Sequence, residues 1–120
     1  MTTTPVRMPS ERYELHAAIC KVLTDPKRLM LLEALRTTER SVGELASELG
    51  VALPNVSQHL AVLRGAGIVE ARRTGQTVRY SLAEPSIVDA CDLVGGIVAR
   101  RLAGRPQPPV PSPVTTVPSR

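Results

Sequence analysis

The chain has 120 residues, enough for one domain with tails; its net charge is +4, its pI about 9.7, and its only aromatic residues are Tyr13 and Tyr80. Its core is therefore expected to be aliphatic and modest, helped by further burial in a dimer, and its basic balance favours a polyanionic partner. No apolar run approaches the ~20 residues that span a bilayer, residues 1–12 hold no apolar signal core, and two cysteines do not make a secreted disulfide framework, so a cytoplasmic protein without membrane association is expected.

Residues 1–8, with three threonines and Pro5, read as a flexible N-terminal arm. Ser10 can cap a helix running to about Leu23, whose Tyr13, Leu15, Ala17, Ile19, Cys20 and Val22 are too widely spread for a single buried face. Such a helix often touches both its own core and a partner subunit. Asp25-Pro26 opens a second helix, about 26–37, with Asp25 as N-cap and Pro26 at the first helical position. Its Leu29, Met30, Leu31, Leu32, Ala34 and Leu35 read as core, while Lys27 and Arg28 could meet a phosphate or stay solvated. Thr37 to Arg40 is a polar connection. Ser41-Val42-Gly43-Glu44 then has the S-x-x-E form of a capping box and starts a short helix that Gly50 stops.

After a tight turn at Val51-Ala52 comes LPNVSQHLAVLRGAGIV, residues 53–69. Val56, Leu60 and Leu63 recur at helical spacing, and Asn55, Ser57, Gln58 and His59 form a polar face between them. Gly65 and Gly67 are expected to stop this helix with positive φ. Ala52 offers no side-chain cap, and Pro54 falls in the first turn, where no backbone donor is needed. Two short helices joined by a Gly-containing turn, the second polar on its outer face, form a helix-turn-helix pattern. Asn and Gln can read adenine bidentately and Ser can pair with either kind of base edge, so the outer face suits the floor of a DNA groove; an amphipathic core helix with a solvated face is the plainer alternative.

The period then switches to alternation. Residues 68–73 form a strand, Thr74-Gly75-Gln76 a turn, and residues 77–82 the returning strand, with Val78, Tyr80 and Leu82 on one face and Arg72, Arg73 and Arg79 around the hairpin. A basic hairpin behind a helix-turn-helix is a wing, able to lie along phosphates or enter the minor groove. Ser86 begins a last helix to about residue 103, whose Ile87, Val88, Leu93, Val94, Ile97, Val98 and Leu102 exceed what one small domain can cover. A self-complementary dimer can cover them. Gly95-Gly96 inside this helix costs ~1 kcal/mol per glycine, which a closely approaching partner backbone would offset, a local kink being the alternative. Residues 104–120 are Pro-rich and read as a disordered or polyproline-like tail, leaving 9–103 as the folded domain.

The pieces LTDPKRLMLLEAL and SVGELASELGVALPNVSQHLAVLRGAGIVEARRTGQTVRYSL, in this order and spacing, resemble the ArsR/SmtB family of winged helix-turn-helix transcriptional repressors over about residues 12–100. The resemblance implies a mainly helical chain with a small β-hairpin, in the order α-α-α-α-β-β-α, dimerising through its first and last helices. It implies a homodimer on a roughly palindromic double-stranded operator, released by an inducer such as a metal or a reactive sulfur or oxygen species. On this reading Asn55, Ser57 and Gln58 approach base edges, and His59, Arg64, Arg73, Gln76 and Thr77 hold phosphate or minor groove.

The family's sensor sites transfer poorly. ELASELG carries no cysteine box, the last helix has Asp89-Ala90-Cys91 where the family's zinc site begins Asp-x-His, and Leu102 and Arg105 stand at the downstream ligand positions. The dithiol of the persulfide-sensing members would need a Cys near Glu33 and another near the end of the last helix, and this chain has neither. Cys20 and Cys91 lie on the two helices that the family dimer brings near each other. Three readings stay open: buried thiols acting as small hydrophobes, a redox pair needing an accessible low-pKa thiolate, or ligands of zinc or another thiophilic ion. In the last, His16 and Cys20 share a helix face at i, i+4, and Cys91 with Asp89 or Asp92 would complete the set. A protein-interaction module and a constitutive DNA-binding regulator without inducer are the competing functions. An enzyme is not expected, since C-x-x-C, a supported Ser-His-Asp order and a phosphate-binding Gly loop are all missing from the sequence.

Overall fold

Helix ends set the architecture. In a computed structural model that describes residues 10–105, the order is α1 (Ser10–Val22), α2 (Pro26–Ala34), β1 (Arg40–Ser41), α3 (Val42–Leu49), α4 (Leu53–Gly65), β2 (Val69–Thr74), β3 (Thr77–Leu82) and α5 (Ser86–Ala103). The expected arm, residues 1–8, and nearly all of the expected tail, 106–120, lie outside the described residues. Asp25 caps α2, its Oδ1 accepting from the backbone N–H of Lys27 (2.7 Å) and Arg28 (3.3 Å). At α3 the capping box closes in both directions: Ser41 Oγ accepts from Glu44 N–H (3.1 Å) and Glu44 Oε1 from Ser41 N–H (2.9 Å). Gly50, at φ +67°, takes the left-handed position after α3, and its N–H donates to the Ala46 carbonyl at 2.9 Å.

Four expectations need correction. First, α2 ends at Ala34 and not at 37. The β-branched Thr37 and Thr38 favour leaving the helix, and Arg36 turns across to α5, where its guanidinium grips Asp92 (2.7 and 3.1 Å) while holding Glu33. Second, only Gly67 takes positive φ (+77°), whereas Gly65 is the last helical residue of α4. The end is a Schellman motif: Ile68 N–H donates to the Leu63 carbonyl and Gly67 N–H to the Arg64 carbonyl, both at 2.9 Å, and the buried Ile68 and Leu63 supply the accompanying apolar contact. Third, the polar connection contains a strand. Arg40 and Ser41 pair antiparallel with Tyr80 and Arg79, giving a sheet of order β1-β3-β2. Fourth, the hairpin is tighter than read, since Thr74 pairs with Thr77 and leaves only Gly75 and Gln76 in the loop. Gly75 sits at φ +64° in the first loop position, which a type II′ connection requires.

The core is aliphatic, as composition demands: Leu31, Leu32 and Leu35 of the α2 region, Leu45 of α3, Val56, Leu60 and Leu63 of α4, then Ile68 and Val69. Tyr80, Leu82, Ile87 and Cys91 pack on it half-buried. This core fixes α3, α4 and the wing as one unit. By contrast, Val22 is the only buried residue of α1 and Val88 the only one of α5. Tyr13, Leu15 and Ile19 of α1, Leu29 and Met30 of α2, and Leu93, Val94, Ile97, Val98 and Leu102 of α5 stay exposed. Helix α5 runs unbroken through Gly95-Gly96, and among the described residues nothing beyond the helix's own adjacent backbone comes within 4 Å of a Cβ built on Gly95.

Candidate nucleic-acid interface

Helix α4 is clamped on one side and free on the other. Val56, Leu60 and Leu63 are at most 1% exposed, so the helix cannot rotate about its axis without opening the core. That rotation setting turns Asn55, Ser57 and Gln58 to solvent. Among the described residues none of these three side chains makes a hydrogen bond, so their donors and acceptors are available to a ligand. Asn55, Gln58 and Val62 follow one face at i, i+3, i+7, and Ser57, Ala61 and Arg64 the neighbouring one. Arg64 closes that row at the C-terminal turn, exposed and without an ion pair among the described residues. At the other end Ala52 leaves α4 without a side-chain cap, and Pro54 has no N–H to satisfy.

The wing is less basic than its sequence. Arg72 and Arg79 face one another across β2 and β3, an unfavourable pairing of like charges. Glu39 relieves it: its carboxylate takes Arg72 Nη2 at 2.6 Å, and Arg79 Nη2 donates to its carbonyl at 3.1 Å. Arg79 also lies 3.4 Å from Glu44, whose carboxyl is held below the usual range by the Ser41 N–H, and further by Arg79 and Arg40, despite an opposing push from burial. These two arginines therefore fasten the wing to the start of α3. Arg73, Gln76 and Thr77 remain exposed at the tip, and Arg73 makes no ion pair among the described residues. Glu39 and β1 are the parts of this surface that sequence reasoning missed. The run Thr37-Thr38-Glu39-Arg40 carries no periodic signal, and its role comes from residues 33 to 40 positions away.

His59 does not share the exposure of its neighbours. It is half-buried between α4 and the start of α2, with Nε2 3.9 Å from Asp25 Oδ1 and Nδ1 3.4 Å from Arg28 Nη1. Burial alone would raise the Asp25 carboxyl, but the N–H groups of Lys27 and Arg28, with the neighbouring His59 ring and the Arg28 charge, hold it below its ordinary value.

Both cysteines are free thiols and line one apolar groove of about 600 Å³ between α1, α2 and α5, with Leu23, Leu29, Val94 and Val98. Cys20 is exposed and Cys91 half-buried. Burial, and then the Asp92 charge, push the Cys91 thiol up, so it lacks the low-pKa thiolate that a redox sensor needs. Among the described residues no three His, Cys, Asp or Glu side chains gather as a metal site. The set His16, Cys20, Asp89 and Cys91 is thus not assembled within one protomer; His16 and Asp89 are exposed side chains.

Residues 25–71 match the family described as bacterial regulatory protein, arsR family. The chain is 44% identical over 94 residues to the uncharacterized HTH-type transcriptional regulator Rv0081 of Mycobacterium tuberculosis, covering 78% of this chain and 82% of that protein. It superposes on the crystal structure of Rv0081 with a TM-score of 0.69 at 40% identity, over 84% of this chain and 96% of that one. It is 34% identical over 96 residues to a probable mercury resistance operon repressor of Streptomyces lividans, covering 80% of this chain and 77% of the repressor. A homodimeric winged helix-turn-helix DNA-binding domain from Mycobacterium bovis, solved by NMR, aligns with a TM-score of 0.73 at 28% identity over 88% of this chain and 96% of that one.

Proposed function

The chain belongs to the ArsR family of winged helix-turn-helix DNA-binding regulators, and from that premise we propose that it acts as a homodimeric repressor on a palindromic operator. One observation carries the reading: the core clamps α4 so that Asn55, Ser57 and Gln58 stand exposed with all their hydrogen-bonding groups unspent. Arg64 at the end of α4 and Arg73, Gln76 and Thr77 at the wing tip flank that row as phosphate or minor-groove contacts. The exposed apolar faces of α1 and α5 form the dimer interface. Dimerisation would place two α4 helices in successive major grooves, with half-sites about one helical turn apart. The S. lividans relative is a probable repressor, which supports repression as the direction of control.

Release by a small effector belongs to the same reading. The exposed Cys20 thiol is the more accessible candidate, and a metal would have to draw ligands from both protomers. No helix among the described residues is long and apolar enough to cross a membrane; it is the reading as a DNA-binding regulator that puts the protein's work in the cytoplasm.

The test is fluorescence anisotropy on the DNA upstream of the protein's own gene, with the protein reduced in chelator, then oxidised, then with zinc and other metals. Tight binding that weakens steeply with salt is expected of several phosphate contacts. Binding that is absent or indifferent to salt overturns the reading. Loss of DNA on one treatment, abolished by Cys20→Ser or Cys91→Ser, would identify the thiols as the sensor; equal binding in every state would make them structural.

A further inference from the structure

Arg28 bridges three helices. Its Nε donates to the carbonyl oxygen of Val22, the last residue of α1, at 2.6 Å. Its Nη1 lies 3.4 Å from Nδ1 of His59, in the middle of α4. Its own backbone N–H is held by Asp25 Oδ1, the cap of α2. A guanidinium has no acceptor, so His59 Nδ1 accepts and the ring proton sits on Nε2, the nitrogen facing Asp25 Oδ1. One planar fork thus fixes the end of α1 relative to the helix that carries Asn55, Ser57 and Gln58. The position matters because α1 is otherwise loosely held: Val22 is its only buried residue, while Tyr13, Leu15 and Ile19 point away from the protomer's own core. The Val22 carbonyl, at a helix C-terminus, is one of the four that the helix cannot satisfy itself, and a cationic donor there is favourable.

We infer that Arg28 is a positioning residue that ties the dimerisation helix α1 to the recognition helix α4 through His59, so that the dimer interface dictates the separation and tilt of the two recognition helices. The inference rests on the dimeric DNA-binding reading above. It takes His59 and Arg28 away from the phosphate-contacting set, because the contacts they make are to each other, to the Val22 carbonyl and to the Asp25 carboxylate. Lysine in place of Arg28 would keep the charge but could satisfy only one end of the tie, since it lacks the rigid fork. A loosened tie would leave each α4 as able to read its half-site as before, while the distance between the two α4 helices would no longer be enforced.

The experiment uses the full-length protein and a duplex enriched from a random library by the wild-type protein, remade with its half-site spacing lengthened by one and by two base pairs. Affinities are measured across a salt series, alongside thermal unfolding and sedimentation. Wild type should reject the respaced duplexes by about tenfold or more, within the usual range of coupling between sites. Arg28→Lys should bind the selected duplex more weakly, lose most of the discrimination between spacings, and keep the wild-type salt slope. His59→Leu should do the same, and the double variant should be no worse than either single one, as for two residues acting through one contact. His59→Leu also keeps the test decisive if Arg28→Lys fails to fold. Unchanged spacing discrimination in the folded variants overturns the inference, as does a salt slope lower by about 1 per protomer, the signature of a lost phosphate contact. Failure of the wild-type protein to enrich any duplex would instead remove the DNA-binding reading, and the tie with it.

Discussion

Replacing Leu93 by Glu should separate the dimer without unfolding the protomer. Leu93 is 76% exposed on α5, so it contributes almost nothing to the protomer's own core. Fully burying a leucine is worth about 1.5–3 kcal/mol, and three-quarters of that is roughly 1–2 kcal/mol per protomer for the fraction now exposed. A two-fold interface presents the residue twice, so the loss is about 2–4 kcal/mol per dimer. At 1.4 kcal/mol per tenfold, the dimer dissociation constant should rise about 30-fold or more. The glutamate adds to this, because a carboxylate placed unpaired in an apolar interface carries a desolvation cost of several kcal/mol. Sedimentation velocity over a dilution series reads the constant, and circular dichroism confirms that the helices survive. The variant should bind single half-sites weakly and lose tight binding to a two-half-site duplex. A variant that dimerises like wild type would refute the assignment of α5 to the interface. A variant that unfolds would show that α5 is held by contacts within the protomer.

Other outcomes follow from the same geometry. Leu60→Ala, at a fully buried site where α4 meets the core, should destabilise by about 2–5 kcal/mol in chemical denaturation; a loss under 1 kcal/mol would mean that the core does not clamp α4. Gln58→Ala should relax base preference in a selection experiment and leave the salt slope alone, whereas Arg64→Ala should weaken all duplexes alike and lower the slope by about 1 per protomer. Reversed behaviour would exchange their roles. The carboxyls of Asp25, Glu44 and Asp92 all lie below their ordinary values of 3.8, 4.5 and 3.8. For Asp92 the cause is first the Arg36 hydrogen bond. Because the folded state holds these protons less tightly than the unfolded chain, their stabilisation is complete above the ordinary carboxylate values. It drains away as pH falls through the lower folded ones. The urea midpoint should therefore hold steady down to about pH 5 and drop below about pH 4. A midpoint flat to pH 2.5 would contradict the ion pairs and caps described above.

Local chemistry made much of this protein legible from its residues. The S-x-x-E box at Ser41, the glycine at position 50, the Asp25-Pro26 start and the spacing of Val56, Leu60 and Leu63 each act within a turn or two of chain, and each stands in the fold as read. The alternation at Val78, Tyr80 and Leu82 placed the returning strand for the same reason, since pleating has a period of two. The outward row of Asn55, Ser57 and Gln58 was legible too, because burying one face of a helix exposes the other. Long-range partners decided the rest. Arg40 and Ser41 become a strand only because the free edge of β3 lies beside them, and two residues hold no period to detect. Glu39 gains its role from Arg72 and Arg79, and α2 ends where Arg36 finds Asp92, 56 residues away. His59 reads like its polar neighbours, yet its place on the helix turns it to Asp25 and Arg28. Sequence spacing determines which face of an element a side chain occupies; only the packing of elements determines what waits on that face, because the partner is brought there by a core built from the whole chain.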